Sequence, residues 1–167
     1  MIRWWCGEIK SVFGQALTIV KDRIDKNSKE KWQATADDLS YFSLELLNGG
    51  LANVFMSGVV SHSLGNKTQI FGSEGTIILE DKTEEILFAK KGEDFKKLSF
   101  EDPNASLDGV NKGIWNISVV SLLEELTSAI KENRSLNEGS TFEDGLKNQL
   151  VVDAVFQSTK ERKWIDL

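Results

Sequence analysis

The amino-acid sequence predicts an α+β fold: an open, mostly antiparallel β-sheet with helices packed on one face. Three observations carry this. Segments rich in β-formers run as far as Phe100 and the helix-periodic segments follow them, the order of an α+β layer rather than of alternating βαβ units. Within residues 39–60 (LSYFSLELLNGGLANVFMSGVV), Asn48-Gly49-Gly50 separates two such segments. Asn-Gly is the strongest short-range hairpin signal, because a tight turn matching strand twist needs residues that tolerate φ > 0. Finally, residues 118–133 and 141–160 carry apolar side chains at helical spacing.

The elements follow in order. Met1-Ile2-Arg3-Trp4-Trp5-Cys6-Gly7 reads as the last turn of a helix with its glycine C-cap. Residues 8–23 (EIKSVFGQALTIVKDR) read as strand, broken near Gly14-Gln15. The charged run 25–31 (DKNSKEK) reads as a solvated loop, and residues 32–38 lead into the central hairpin. There Phe42, Leu44 and Leu46 alternate onto one face, and Tyr41, Ser43 and Glu45 onto the other. The second arm sets Ala52, Val54, Met56 and Val60 against Leu51, Asn53, Phe55 and Ser57.

Residues 68–80 form a second strand–turn–strand unit around Gly72-Ser73-Glu74-Gly75. The glycine pair is a turn rather than a phosphate loop, because a strand follows it and no Lys-Ser/Thr does. Two shorter strands, 85–89 and 95–100, flank Gly92. Residues 101–112, with the only proline, are the main irregular segment, of a length that often accompanies function. Val119, Leu122, Leu123, Leu126 and Ile130 stripe the first long helix. Phe142, Leu146, Leu150, Ala154 and Ser158, with Val151 and Val155, stripe the second, started by a capping box of Ser140 and Glu143. Residues 163–167 close the chain as an edge strand, and both helices are expected to lie on the sheet.

Composition narrows the function classes. At 167 residues the chain has the size of one ordinary domain, able to bury about 70% of its unfolded surface. A formal net charge of −6 argues against nucleic acid or an anionic membrane as the main partner. Cys6 is the single cysteine, so neither an internal disulfide nor a cysteine-based zinc site is available, and a reducing cytoplasm fits. No apolar run reaches the length of a membrane span.

Few residues offer chemistry. His62 is the only histidine and would need a partner placed by the fold, such as Asp38 or a group in residues 101–112. Asp37 and Asp38 are adjacent, so in a strand their carboxylates point to opposite faces. Cys6 reads as a small hydrophobe. The sequence carries no metal-ligand spacing, nucleophile elbow or P-loop. Catalytic, cofactor-binding and metal-binding residues are therefore all expected to be none in this chain.

Taken in order, several segments resemble a known family. They are Trp5-Cys6-Gly7-Glu8-Ile9-Lys10-Ser11-Val12, Ala36-Asp37-Asp38 with Asn48-Gly49-Gly50, and Phe71-Gly72-Ser73-Glu74-Gly75-Thr76. Asp153-Ala154-Val155-Phe156-Gln157-Ser158 and Lys163-Trp164-Ile165-Asp166-Leu167 complete the order. The whole chain resembles the C-terminal domain of the glucose–fructose oxidoreductase / inositol dehydrogenase / MocA (Gfo/Idh/MocA) family. The resemblance implies a glyceraldehyde-3-phosphate-dehydrogenase-like C-terminal fold that follows an N-terminal Rossmann domain binding NAD or NADP. It also implies sugars, sugar derivatives or polyols as substrates, and an open sheet face that packs on another subunit.

The family's glycine-rich nucleotide fingerprint and its catalytic lysine have no counterpart here, and its Asp/His pair would fall ahead of Met1. Residues 1–167 are thus expected to be a single domain, the substrate and oligomerisation half of such an enzyme, truncated at its N-terminus and inactive alone. Asp38, Gly72 and Gly75 match family positions. They are read, with Asn48 and Gly49, as turn and strand-start residues. A homodimer through the open face is expected. The alternative is a stand-alone binding or scaffold module using that same face, where Tyr41, Leu51 and Phe55 lie.

Overall fold

A computed structural model describes residues 1–63, 65–83, 85–100, 102–109 and 114–167. By its internal contacts the chain divides into two compact units, Met1–Ser61 with Ser140–Leu167, and His62–Gly139.

The first unit is built on a four-stranded antiparallel sheet in the order β10-β1-β4-β5. Its strands are β1 (Ile9–Leu17), β4 (Leu39–Leu46), β5 (Leu51–Ser57) and β10 (Ile165–Asp166). The short helix α1 (Ile2–Cys6) precedes it and ends at Gly7 with φ 105°, whose N–H donates to the Arg3 carbonyl. Helix α3 (Phe142–Glu161) lies on one face. Period-two alternation sends Val12, Phe42, Leu44 and Ala52 to that face, where Val12 and Leu44 join Ala154, Val155 and Ile165 in the core.

Helix α3 also replaces a missing strand. Beside β1, β10 pairs only with Ser11 and Val12, which would leave the Gly14 and Ala16 amides unpaired inside the protein. Two helix hydroxyls take them. Gly14 donates to Ser158 Oγ at 3.0 Å and Ala16 to Thr159 Oγ1 at 2.9 Å. Ser158 Oγ in turn donates to the Lys163 carbonyl at 2.8 Å, tying the helix to the chain leading into β10. Strand β1 therefore runs unbroken through Gly14, against the expectation of a break there. Gly14 is a close-approach residue, since a Cβ at that position would overlap Phe42 Cβ and the Tyr41 carbonyl.

Between β1 and β4 the chain forms a separate two-stranded hairpin, β2 (Asp22–Ile24) and β3 (Lys31–Gln33). The expected solvated loop covers only its turn; Lys31, Trp32 and Gln33 are paired strand.

The second unit holds the antiparallel meander β6 (Lys67–Phe71), β7 (Gly75–Glu80), β8 (Glu85–Lys90) and β9 (Lys96–Leu98). It also holds helix α2 (Ile114–Glu132) and a 3-10 helix, Pro103–Ser106, inside the expected irregular segment. Asn104, nearly buried, joins these two helices by donating from Nδ2 to Ser121 Oγ and Glu124 Oε2, both at 3.0 Å. Residues 101 and 110–112 of that segment lie outside the described residues.

Candidate functional site: the open face of the first sheet

The face of the first sheet opposite α3 is set by the same register. Tyr41 pairs with Phe55, Ser43 with Asn53 and Glu45 with Leu51, and Phe13 pairs with Ser43. Leu51 is 76% and Phe55 65% exposed. Phe13 packs its ring on Trp164, centroids 5.7 Å apart. Ser43 Oγ and Asn53 Oδ1 are hydrogen-bonded at 2.7 Å across the strands. Tyr41, Ser43, Asn53 and Phe55 line a shallow depression of about 280 Å³. Aromatic and aliphatic groups around a small polar centre make a face suited to cover by another surface.

The residues singled out in the sequence fall elsewhere. Asp38 sits just ahead of β4, where its backbone joins the sheet: its N–H donates to the Leu17 carbonyl, and its carbonyl accepts from Gly58. Its carboxylate accepts from the Ile19 N–H (2.7 Å), the Val20 N–H (3.0 Å) and Arg23 Nη2 (2.7 Å). The Ile19 amide, joined by Val20 and the Arg23 guanidinium, holds this carboxyl below the usual range. Asn48 and Gly49 lie in the four-residue loop between β4 and β5. There Gly49 has φ 87°, and Asn48 accepts from Gly50 N–H and donates to the Cys6 carbonyl at 2.8 Å. Gly72 donates to the Gly75 carbonyl, and a Cβ on Gly75 would overlap the Ala89 carbonyl of β8. His62 is exposed, where the second unit begins.

A second polar cluster fixes the two helix ends of the first unit. Arg3 pairs with Glu8 at 2.9 Å and Asp144 at 2.9 Å, and Lys147 reaches Glu8 and Glu143. The Thr141 backbone N–H, then Arg3, hold the Asp144 carboxyl far below its ordinary range. The α3 N-terminus is thus filled by its own carboxylates, and the Gly72–Gly75 turn feeds strand β7 rather than a helix. Neither place suits the pyrophosphate of a dinucleotide, which needs free N–H groups without nearby negative charge. Among the described residues, no three His, Cys, Asp or Glu side chains gather as a metal site, and no helix is long and apolar enough to cross a membrane.

The first unit is thus an antiparallel sheet with a helix on one face and an apolar open face on the other. The family model for the oxidoreductase family, C-terminal alpha/beta domain, matches residues 1–167; the chain belongs to the Gfo/Idh/MocA family as that C-terminal domain. Its relatives include glucose-fructose oxidoreductase domain-containing protein 2 of Xenopus tropicalis, 22% identical over 144 residues, which are 78% of this chain and 37% of that protein. Among solved structures, an NAD binding oxidoreductase from Klebsiella pneumoniae superposes with TM-score 0.81 at 22% identity, over 98% of this chain and 47% of that one. Levoglucosan dehydrogenase in complex with NADH and levoglucosan gives 0.82 at 20% identity, over 99% and 46%. The chain therefore spans less than half the length of these relatives.

Proposed function

We propose that residues 1–167 are one domain, the substrate-site and oligomerisation half of an NAD(P)-dependent oxidoreductase. It acts on a sugar, a sugar derivative or a polyol, and the half is inactive alone. The match of the C-terminal family model to residues 1–167 carries the reading. The neighbours' names add NAD, NADH, levoglucosan and L-sorbose, which supports the cofactor and substrate class. Hydride transfer needs a nicotinamide held against the substrate carbon and a group that takes the hydroxyl proton. In this reading both come from a preceding nucleotide-binding half, and this chain contributes substrate contacts and the open face, which packs on a second copy. The location is cytoplasmic, in keeping with one free cysteine.

The test has two parts. The chain alone, given a panel of sugars and polyols with NAD or NADP, should produce no reduced nicotinamide; turnover would sink the reading. Immunoblotting of source cells should show a protein about twice this size, the sum of two ordinary domains. A native band near the 18.7 kDa of this chain would instead favour a stand-alone binding or scaffold module.

A further inference from the structure

The β2–β3 hairpin is unlike every other strand pair of the first unit. It joins neither four-stranded sheet, and two-stranded hairpins on their own are marginal in water. None of its six strand residues is buried, and Ile24 and Trp32 are among the exposed large apolar groups. Packing of the kind that fixes β1 against α3 is thus missing from it.

What holds it is polar and converges on one side chain. Asp38 is anchored on the sheet by both of its backbone groups, to Leu17 and Gly58. Its side chain is 8% exposed, in a residue that is half-buried as a whole. It reaches out to the Ile19 and Val20 amides, at the root of the hairpin, and to Arg23 within it. Arg23 Nε also donates to the Val20 carbonyl at 3.1 Å, so its guanidinium ties root and hairpin together. The remaining root contacts are the Ala34 N–H to the Lys21 carbonyl, which extends the hairpin ladder, and Thr18 Oγ1 to the Ala36 carbonyl. Three charge-assisted bonds thus converge on one carboxylate.

We infer that the hairpin Asp22–Gln33 is an arm that opens and closes as one unit about residues 18–21 and 34–37, and that Asp38 is its latch. The sheet beneath it stays formed when the arm opens, since the Leu17 and Gly58 bonds use the Asp38 backbone and not its carboxylate. This device belongs to the chain itself and is independent of the proposed enzymatic role.

Amide hydrogen exchange on the 167-residue chain tests it. In the wild type, amides of residues 22–24 and 31–33 should exchange at least tenfold faster than those of β1 and β4, with rates insensitive to low urea, as local opening requires. Asp38→Asn should raise exchange across residues 19–34 by a further tenfold or more while β1 and β4 change less than twofold. Arg23→Gln, which spares the two amide bonds, should give the same pattern at a smaller amplitude. Equal wild-type protection in arm and sheet would overturn the proposal, as would a parallel rise in β1 and β4 in either variant. If Asp38→Asn does not fold, Asp38 is part of the core and not a latch. The wild-type and Arg23→Gln profiles then decide whether an arm exists.

Discussion

Ser158 is fully buried and its hydroxyl serves as acceptor to Gly14 and donor to Lys163. Replacing it with Ala leaves a buried N–H and a carbonyl without partners, a loss of about 1–3 kcal/mol. Urea denaturation of Ser158→Ala should show that loss in the midpoint without a change in slope. Gly14→Ala should cost a similar or larger amount, about 1–3 kcal/mol or more, because its Cβ would meet Phe42 and Tyr41 across the strand pair. Glu125 adds a pH term. Arg134, then the Asn137 amide, lower its carboxyl from 4.5 to about 2. A depressed carboxyl stabilises the folded state fully above its unfolded value and loses that contribution as pH falls through the folded one. The stability of the second unit should therefore decline between about pH 4.5 and about pH 2, and Glu125→Gln should flatten that decline. A variant with the unaltered acid slope would remove Glu125 as its source. In the sequence, Ser158 looked like the polar end of an apolar stripe. Its bonding to β1 was not legible, because that depends on which strand edge the helix meets.

The two long helices show how spacing on paper and burial in space diverge. Steps of four residues drift by about 40° per step around a helix with 3.6 residues per turn, so Phe142 and Ser158 lie nearly on opposite sides. The structure buries Ala154, Val155 and Ser158 and leaves Phe142, Leu146 and Leu150 exposed. The expected stripe of α3 is thus correct only in its C-terminal half. The box that starts α3 is Thr141 with Asp144, one residue beyond the expected Ser140 and Glu143; both reciprocal bonds are made. Thr141→Ala should cost about 0.5–2 kcal/mol and lower the thermal midpoint, whereas Ser140→Ala should leave it unchanged. Helix α2 starts earlier than expected. Its stripe of Val119, Leu122, Leu123, Leu126 and Ile130 is exposed, with Ala129 buried, so it is not laid on a sheet in the way α3 is. The hairpin β2–β3 was hidden because its strands are three residues long and full of charge, a pattern shared with solvated loops.

Leu51 and Phe55 project from the open sheet of the first unit, 76% and 65% exposed. Apolar side chains gathered on an uncovered sheet face are the usual mark of a contact surface. The chain should sediment as a dimer, and Leu51→Asp with Phe55→Asp should shift it to monomer without loss of circular-dichroism signal. A wild-type profile that stays monomeric across a wide concentration range would count against the open face as a dimer surface.

The sequence by itself determined the α+β class, the Asn48–Gly50 hairpin, the strand–turn–strand at Gly72–Gly75, the glycine-capped α1, the terminal edge strand and the family. Each of these rests on local patterning or on ordered motifs, which neighbouring residues alone can specify. Tertiary structure decided which side of each helix is buried, why Gly14 continues a strand, and that hydroxyls of α3 complete the edge of β1. It also decided that Asp38 binds the root of a separate hairpin. Those depend on groups brought together from positions far apart in the chain, as Gly14 is with Ser158, and no local period encodes such a meeting.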